Sequence, residues 1–279
     1  MSTYLFTHEW AGEEERLGGL SAFFDPGTRR QLETVGVGPG WRCLEIGAGA
    51  GSVAVWLAER VGPGGRVVAT DLETGFLERL SLPNLEVRRH DIVTDDLPAG
   101  AFDLVHARLV LEHLAGRDAA LARMAAALAP GGWLVVEDLD WISVAPVAGR
   151  GAAALRRLVR GLLPFMRLAG YAPAYGRRLP VEMARLGLVE VRAEGVVPVL
   201  RGGDEGLDWA RMSVGRIGEV LRSLDGAGGP AARVATAVNR RFPALWQRRL
   251  GRLERLLDDP SFVALGPAMI TAIGRRPPA

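Results

Sequence analysis

The stretch Arg42-Cys43-Leu44-Glu45-Ile46-Gly47-Ala48-Gly49-Ala50-Gly51-Ser52 constrains the fold more than any other part of the chain. It is a short apolar strand that ends near an acid, followed by three glycines at alternate positions and then by a helical pattern from Val53 to Arg60. Glycines let the backbone turn sharply and let a ligand approach without meeting a Cβ. The helix that opens behind them presents unpaired N–H groups to whatever sits on the turn. A strand, a Gly-rich turn and a helix in this order point to a nucleotide or nucleoside site at the carboxyl edge of an open α/β sheet.

The spacing discriminates between ligands. A dinucleotide fingerprint reads G-x-G-x-x-G; here it is G-x-G-x-G, with Ser52 where the third glycine would stand. Glu45 lies two residues before Gly47, and a carboxylate there suits a cationic ligand better than a pyrophosphate. Glu45-Ile46-Gly47-Ala48-Gly49-Ala50-Gly51 resembles motif I of the class I S-adenosylmethionine (SAM) dependent methyltransferases. Further along, Val67-Val68-Ala69 is a short apolar strand with Asp71 at its carboxyl end, 20 residues after Gly51, the position from which a carboxylate accepts hydrogen bonds from ribose hydroxyls. A third strand, Asn84 to Arg89, ends at His90-Asp91-Ile92 and resembles the family's next motif. The order Phe102-Asp103-Leu104-Val105, helix, Leu128-Ala129-Pro130-Gly131-Gly132-Trp133-Leu134 completes the likeness, which covers about residues 40–140.

The resemblance implies a doubly wound, mostly parallel seven-stranded Rossmann-like α/β sheet, with SAM as cofactor. It also implies cofactor contacts from Glu45, Gly47, Ala48, Gly49 and Gly51 in the turn, from Asp71 and Leu72, from Asp91 and Ile92 at the adenine, and from Ala107 and Arg108 after strand four. Arg16, in an N-terminal helix, is a candidate partner for the cofactor carboxylate.

Periodicity supplies the remaining elements. Helices are expected at 10–24 and 28–35, broken by Asp25-Pro26-Gly27, and at Thr74–Leu80 and Leu111–Leu128. Beyond strand five (Trp133 to Asp138), helices are expected at Gly151–Leu168, Tyr175–Leu186, Leu207–Leu224 and Ala231–Leu257, with a long strand at Val189–Leu200 and a last one within Phe262–Gly274. Roughly 60 residues separate these two strands, far more than a hairpin needs, so an added helical lid is expected between them. The domain reading is an N-terminal helical cap at 1–40, a SAM-binding core at 41–200 and 261–279 with a helical insertion at about 141–174, and a lid at 201–260.

All 34 basic residues are Arg. Residues 1–145 hold 12 Arg against 21 acids, and residues 146–279 hold 22 Arg against 11 acids. A basic carboxyl half can meet nucleic acid or an anionic substrate, but these arginines recur among Leu and Ala at helical spacing, as on solvated helix faces. Hydrophobic residues make up 48%, enough for a sizeable core, yet no stretch of 18 apolar residues lacks a charge, so no membrane span is expected. The amino terminus lacks the charge and hydropathy pattern of a secretory signal, and the single cysteine, Cys43, reads as a small core residue; a cytoplasmic location is the expectation.

Methyl transfer needs alignment of nucleophile, carbon and sulfur with water excluded, and a general base only if the acceptor arrives protonated. No obligatory catalytic motif therefore exists to search for, and no Cys/His spacing suits a metal. His113, Asp138 and Asp140, at the carboxyl ends of strands four and five, are the candidate catalytic groups, with helix capping the competing role of each. Trp141, Phe165, Tyr171, Tyr175 and Trp209 are candidates to line an apolar pocket.

The pattern is similar to bacterial ubiquinone-type and natural-product methyltransferases. It implies a small or medium-sized lipophilic acceptor, O-methylation first, with no nucleic-acid partner; a homodimer stays open. Ala107-Arg108-Leu109-Val110 stands where many nucleic-acid amino-methylating enzymes carry Asn/Asp-Pro-Pro-aromatic. A nucleic-acid or protein methyltransferase using the basic half, and a SAM-binding protein without catalysis, are the alternatives.

Overall fold

The computed structural model describes residues 10–148, 151–168, 170–223 and 243–279. In chain order its strands are β1 (Arg42–Ile46), β2 (Arg66–Asp71), β3 (Leu85–Arg89), β4 (Phe102–Arg108), β5 (Leu128–Asp140), β6 (Ala145–Ala148), β7 (Val189–Val196), β8 (Val199–Arg201), β9 (Val263–Leu265) and β10 (Ala268–Arg275). Its helices are α1 (Glu13–Thr34), α2 (Ser52–Val61), α3 (Arg117–Ala127), α4 (Ala152–Leu168), α5 (Leu179–Arg185), α6 (Asp208–Ser223) and α7 (Pro243–Asp258). The chain divides into two compact units: one of residues 21–140, 174–196 and 269–279, the other of 10–20, 141–173 and 197–268.

The first unit is a seven-stranded sheet in the order β3-β2-β1-β4-β5-β10-β7. β1 pairs in parallel with β2 and β4, β2 with β3, and β4 with β5, while β7 and β10 run antiparallel. This is the doubly wound, mostly parallel Rossmann-like sheet of class I methyltransferases. β1 from its second residue on, and β2 between its two ends, are buried, as strands covered on both faces must be, which is why they read as near-continuous apolar runs. The edge strand β7 is almost wholly exposed and carries Glu190, Arg192 and Glu194, charges that discourage further pairing. Val53, Leu57 and Val61 of α2 pack in one cluster with Cys43, Val67 and Leu104, so Cys43 is the core residue expected.

The structure differs from the expectations where local signals lost to tertiary contacts. α1 is one helix through Pro26, not two. Its central turn is held by side chains of α2 and of the sheet: Asp25 bonds Ser52 and Arg108, and Thr28 bonds Glu137. The helix expected at Thr74–Leu80 is a single 3-10 turn at Leu77–Arg79. The helix expected at Leu111–Leu128 is a 3-10 turn at Leu111–His113 followed by α3, and Leu128 already belongs to β5.

The second unit holds a three-stranded sheet that was not expected, in the order β6-β9-β8, with both pairings antiparallel. The long strand expected at Val189–Leu200 is β7 and β8 in two different sheets, parted at Val197-Pro198; the last strand is likewise β9 and β10, parted at Gly266-Pro267. Each proline removes a ladder donor and restricts the residue before it. Leu155 and Leu158 of α4, Leu256 of α7 and Phe262 close this unit's core. α4 and α6 lie where helices were expected, whereas the helix expected from Ala231 is described only from Pro243, its earlier part lying outside the described residues. Among the described residues no helix is long and apolar enough to cross a membrane.

Candidate cofactor site

The ends of β2, β1 and β4 converge, with Ile46 in register with Thr70 on one side and Ala107 on the other. The turn that follows β1 has Gly47, Gly49 and Gly51 at φ of +67°, +57° and +86°. A side chain is excluded twice over at its two ends: a Cβ on Gly47 would overlap the Val110 Cγ2 methyl, and one on Gly51 would lie 2.5 Å from Leu80 Cδ1. Four of the five amides of residues 47–51 are already engaged within the chain. Gly47 and Ala48 donate to the Thr70 carbonyl at 2.8 and 3.0 Å, Gly49 to Asp71 Oδ2 at 2.8 Å, and Gly51 to the Ala48 carbonyl at 2.8 Å. A pyrophosphate cradle requires such N–H groups to be open. This turn instead offers a bare, glycine-lined surface, the cradle a nucleoside needs.

Asp71 stands at that surface. Its Oδ2 accepts from Gly49 and its Oδ1 from the Glu73 amide at 3.2 Å, which leaves a lone pair on each oxygen for ribose hydroxyls. Leu72 beside it is 40% exposed, a large apolar side chain open to contact. Asp91 Oδ1 accepts from the Val93 amide at 2.9 Å, and Ile92 is buried. Neither ring nitrogen of the adjacent His90 has a hydrogen-bond partner, although both are buried, an orphaned polar group that a ligand's heterocycle would satisfy. The glycine cradle, Asp71 and His90 together fit an adenosine-bearing cofactor.

Behind the turn lies a row of buried polar groups. Glu45 Oε2 is 2.7 Å from His106 Nδ1, and His106 Nε2 is 3.5 Å from Glu137 Oε2. Glu137 accepts from Thr28 at 2.5 Å and from Thr271 at 2.7 Å. Arg108 Nη1 donates to Thr28 at 2.9 Å and pairs with Asp25 at 2.9 Å, and Asp25 accepts from Ser52 at 3.1 Å. Burial works against a charge on His106, but the carboxylates of Glu45 and Glu137 outweigh it and raise its pKa to about 9. Burial pushes Glu137 upward, yet the His106 and Arg108 charges and the Thr271 hydroxyl hold it below the usual carboxylate range.

Three of the expected cofactor residues thus have other engagements. Glu45 is only 3% exposed and one of its oxygens belongs to His106; Arg108 is bound to Asp25 and Thr28; and Arg16 is buried in a two-point pair with Glu13 at 2.8 and 2.6 Å. The Ala107 side chain is fully buried, so only its main chain remains for contact.

The candidate catalytic groups are not equivalent. Asp138 is sealed from solvent with both oxygens outside hydrogen-bonding geometry, and burial together with the neighbouring Glu112 charge raises its pKa well above the usual value. Asp140 is buried and ion-paired with Arg177. His113, with a side chain 27% exposed, keeps contact with solvent and lies 3.8 Å from Glu112. Of the aromatic residues expected in one pocket, Trp141 donates to the Tyr171 hydroxyl at 2.9 Å in the second unit, which also holds Trp209, whereas Tyr175 is in the first unit with its hydroxyl on Asp118 at 3.0 Å. The Phe165 side chain lies outside the described residues.

The sequence of a family described as a methyltransferase domain matches residues 44–134. Methyltransferase str2 of Strobilurus tenacellus is 31% identical over 190 residues, 67% of this chain and 66% of that protein. Nocamycin O-methyltransferase of Saccharothrix syringae is 37% identical over 130 residues, 42% of this chain and 46% of that protein. The YcgJ protein of Bacillus subtilis shares the fold with a TM-score of 0.54 at 14% identity, over 89% of this chain and 97% of that one. The chain belongs to the class I SAM-dependent methyltransferases. SAM is the cofactor of this enzyme family. The matched stretches span two thirds or less of these curated relatives.

Sequence reasoning about this methyltransferase missed three features. Leu109, just past β4, sits at φ +58°, a strained position for a non-glycine residue, with its amide on the Glu137 carbonyl at 2.7 Å. No pattern in Ala107-Arg108-Leu109-Val110 announces it. Asp25 and Thr28 were read as helix breakers or flanks.

Proposed function

We propose that this methyltransferase moves a methyl group from SAM to a small or medium-sized lipophilic acceptor, most simply by O-methylation in secondary metabolism. The observation that carries the reading is the glycine turn with the amides of Gly47, Ala48, Gly49 and Gly51 engaged internally and Asp71 at its rim, an arrangement that suits a nucleoside better than a pyrophosphate. When bound, SAM supplies an electrophilic methyl carbon on a sulfonium. The acceptor oxygen forms its bond to that carbon as the carbon–sulfur bond breaks, the electron pair stays on sulfur, and the acceptor's proton leaves to solvent or to a base. In this reading Asp71 holds the ribose, Leu72 and Ile92 flank the adenine, and His90 satisfies a ring nitrogen. A sealed Asp138 and an ion-paired Asp140 leave His113 as the base candidate in contact with solvent, so acceptors whose hydroxyls ionise readily, such as carboxylic acids, enols and phenols, suit the site best.

Nocamycin O-methyltransferase, by its name, modifies oxygen on a secondary metabolite, which supports the same chemistry here. We assign acceptor choice to the second unit. The family match at 44–134 falls wholly within the first, and the second lies outside it. Incubation with methyl-labelled SAM and a panel of phenols, enols, carboxylic acids and amines, beside RNA and a basic protein, tests the reading. Label is expected in a small oxygen acceptor. Transfer to the RNA or the protein alone would favour the polymer alternative, and binding without transfer to any of them would favour the non-catalytic one.

A further inference from the structure

The buried polar row closes on both ends of one turn. Glu45 stands two residues before Gly47, and Ser52 follows Gly51 directly. Between them, away from the turn, run His106, Glu137, Thr28, Arg108 and Asp25, each within 3.5 Å of the next. The turn Gly47–Gly51 is thus bracketed by a chain of contacts through β1, β4, β5, α1 and the first turn of α2. Register makes this possible. Glu45 pairs with His106 and Arg108 with Glu137 across neighbouring parallel strands, so their side chains share one face of the sheet.

We infer that His106 is a positioning residue whose imidazolium, hydrogen-bonded to Glu45 on one side and facing the Glu137 carboxylate on the other, holds the cofactor turn in its binding conformation. The geometry favours the charge. A neutral imidazole has one N–H and one lone pair, so one of the two flanking carboxylates would face a lone pair in a site with no exposure to water. With the proton present, Nδ1 donates to Glu45, and Nε2, which has no hydrogen-bond partner, carries its charge 3.5 Å from the Glu137 carboxylate. The groups that face His106 from the packed elements are Glu45 of β1 and Glu137 of β5, with Arg108 of β4 and Asp25 of α1 next along the row and the hydroxyls of Thr28 and Thr271 on Glu137. A pKa near 9 agrees with a charge retained through neutral pH. Three carboxylates against two cations leave the row one negative charge in excess, which suits a cofactor that carries a net positive charge.

This inference rests on the reading of Gly47–Gly51 as the cofactor turn, so its test has one arm that needs no ligand. Backbone amide exchange of residues 47–55 is measured in the free protein for wild type, His106→Asn and His106→Leu, together with the affinity for S-adenosylhomocysteine from pH 6.5 to 10. Asn keeps a neutral donor toward Glu45; Leu keeps neither donor nor charge. Protection of 47–55 is expected to fall at least tenfold in the Leu variant and less in the Asn variant, with affinities in the same order. The wild-type advantage over His106→Asn should hold at pH 7 and vanish above about pH 9; taking the difference removes titration of the ligand's own amino group. Equal protection and equal affinity in folded variants, or an advantage unchanged at pH 10, would overturn the inference. If the Leu variant does not fold, the pH difference between wild type and the Asn variant still decides. If wild type binds no S-adenosylhomocysteine while the variants still lose protection, the cofactor reading falls and the role of His106 stands.

Discussion

The two units of this methyltransferase handle charge in opposite ways. In the first, Glu45, His106, Glu112, Glu137, Asp138 and Asp140 are all buried, and Glu45, His106 and Glu137 answer one another across neighbouring strands. In the second, the charged residues of α6 and α7 pair near the surface, as Arg211 does with Asp208 and Asp258 and Arg216 with Glu219, over a core of Leu, Phe and Ala. Among its described residues only Glu13 and Arg16 are buried charges, and they bind each other. Burying a charge costs several kcal/mol unless it is paired and hydrogen-bonded, so a fold retains it where chemistry or a ligand needs it. The unit that carries the family match has such charges behind the glycine turn; the other has the generic interior of an amphipathic assembly.

The largest effect that would break this comparison comes from the second unit. Phe262 is 1% exposed among Leu155, Leu158 and Leu256, and Phe262→Ala should cost about 3–5 kcal/mol of unfolding free energy by denaturant titration. Affinity for S-adenosylhomocysteine should stay within about threefold of wild type; a parallel collapse of binding would show that the two units do not divide labour as argued. Next comes the pH dependence of the first unit. The folded pKa of His106, about 9, lies above the 6.5 of a free imidazole, so its stabilising contribution is complete below pH 6.5 and is lost as pH rises to 9. The loss should be on the order of 3 kcal/mol, and His106→Asn should flatten that limb. Glu137 acts in the opposite sense. Its lowered pKa contributes stability above the usual carboxylate range that disappears on acidification.

The sheet was legible because its signals are local and chemical. Glycines at 47, 49 and 51 and the acid at 71 each mark a strand end, and Pro130-Gly131-Gly132 lies near the start of β5. The small sheet of the second unit was not. Its strands are three or four residues long, too short for alternation to show, and two of them continue apolar runs that belong to the first unit. The site was half legible. Glu45 and Asp71 stand out by spacing, but the contacts of Glu45 with His106, and of Asp25 with Ser52 and Arg108, join residues 61, 27 and 83 positions apart. Only the sheet register and the packing of α1 bring them together. The continuous α1 shows the same point. Pro26 reads as a break until the sheet is present to hold the turns on either side of it.

Smaller effects sharpen the comparison. Asp71→Ala should weaken S-adenosylhomocysteine binding by about 1.5–3 kcal/mol, the range for hydrogen bonds to a charged acceptor, with little change in thermal stability. Normal binding would remove Asp71 from the ribose. Arg42→Gln, which breaks a half-exposed pair with Asp103 at the far end of β1, should cost less than about 1 kcal/mol and leave binding untouched. An effect as large as that of His106 would show that charges at the sheet's rim matter as much as those behind the turn.

The central claim is that the Gly47–Gly51 turn receives a SAM-type nucleoside. Isothermal titration of the purified chain with S-adenosylhomocysteine and, in parallel, with NAD tests it most directly, with Gly47→Val as the control that fills the turn against Val110. The account predicts one saturable site for S-adenosylhomocysteine, no heat from NAD, and loss of the site in the variant. Saturable NAD binding without S-adenosylhomocysteine binding would contradict it.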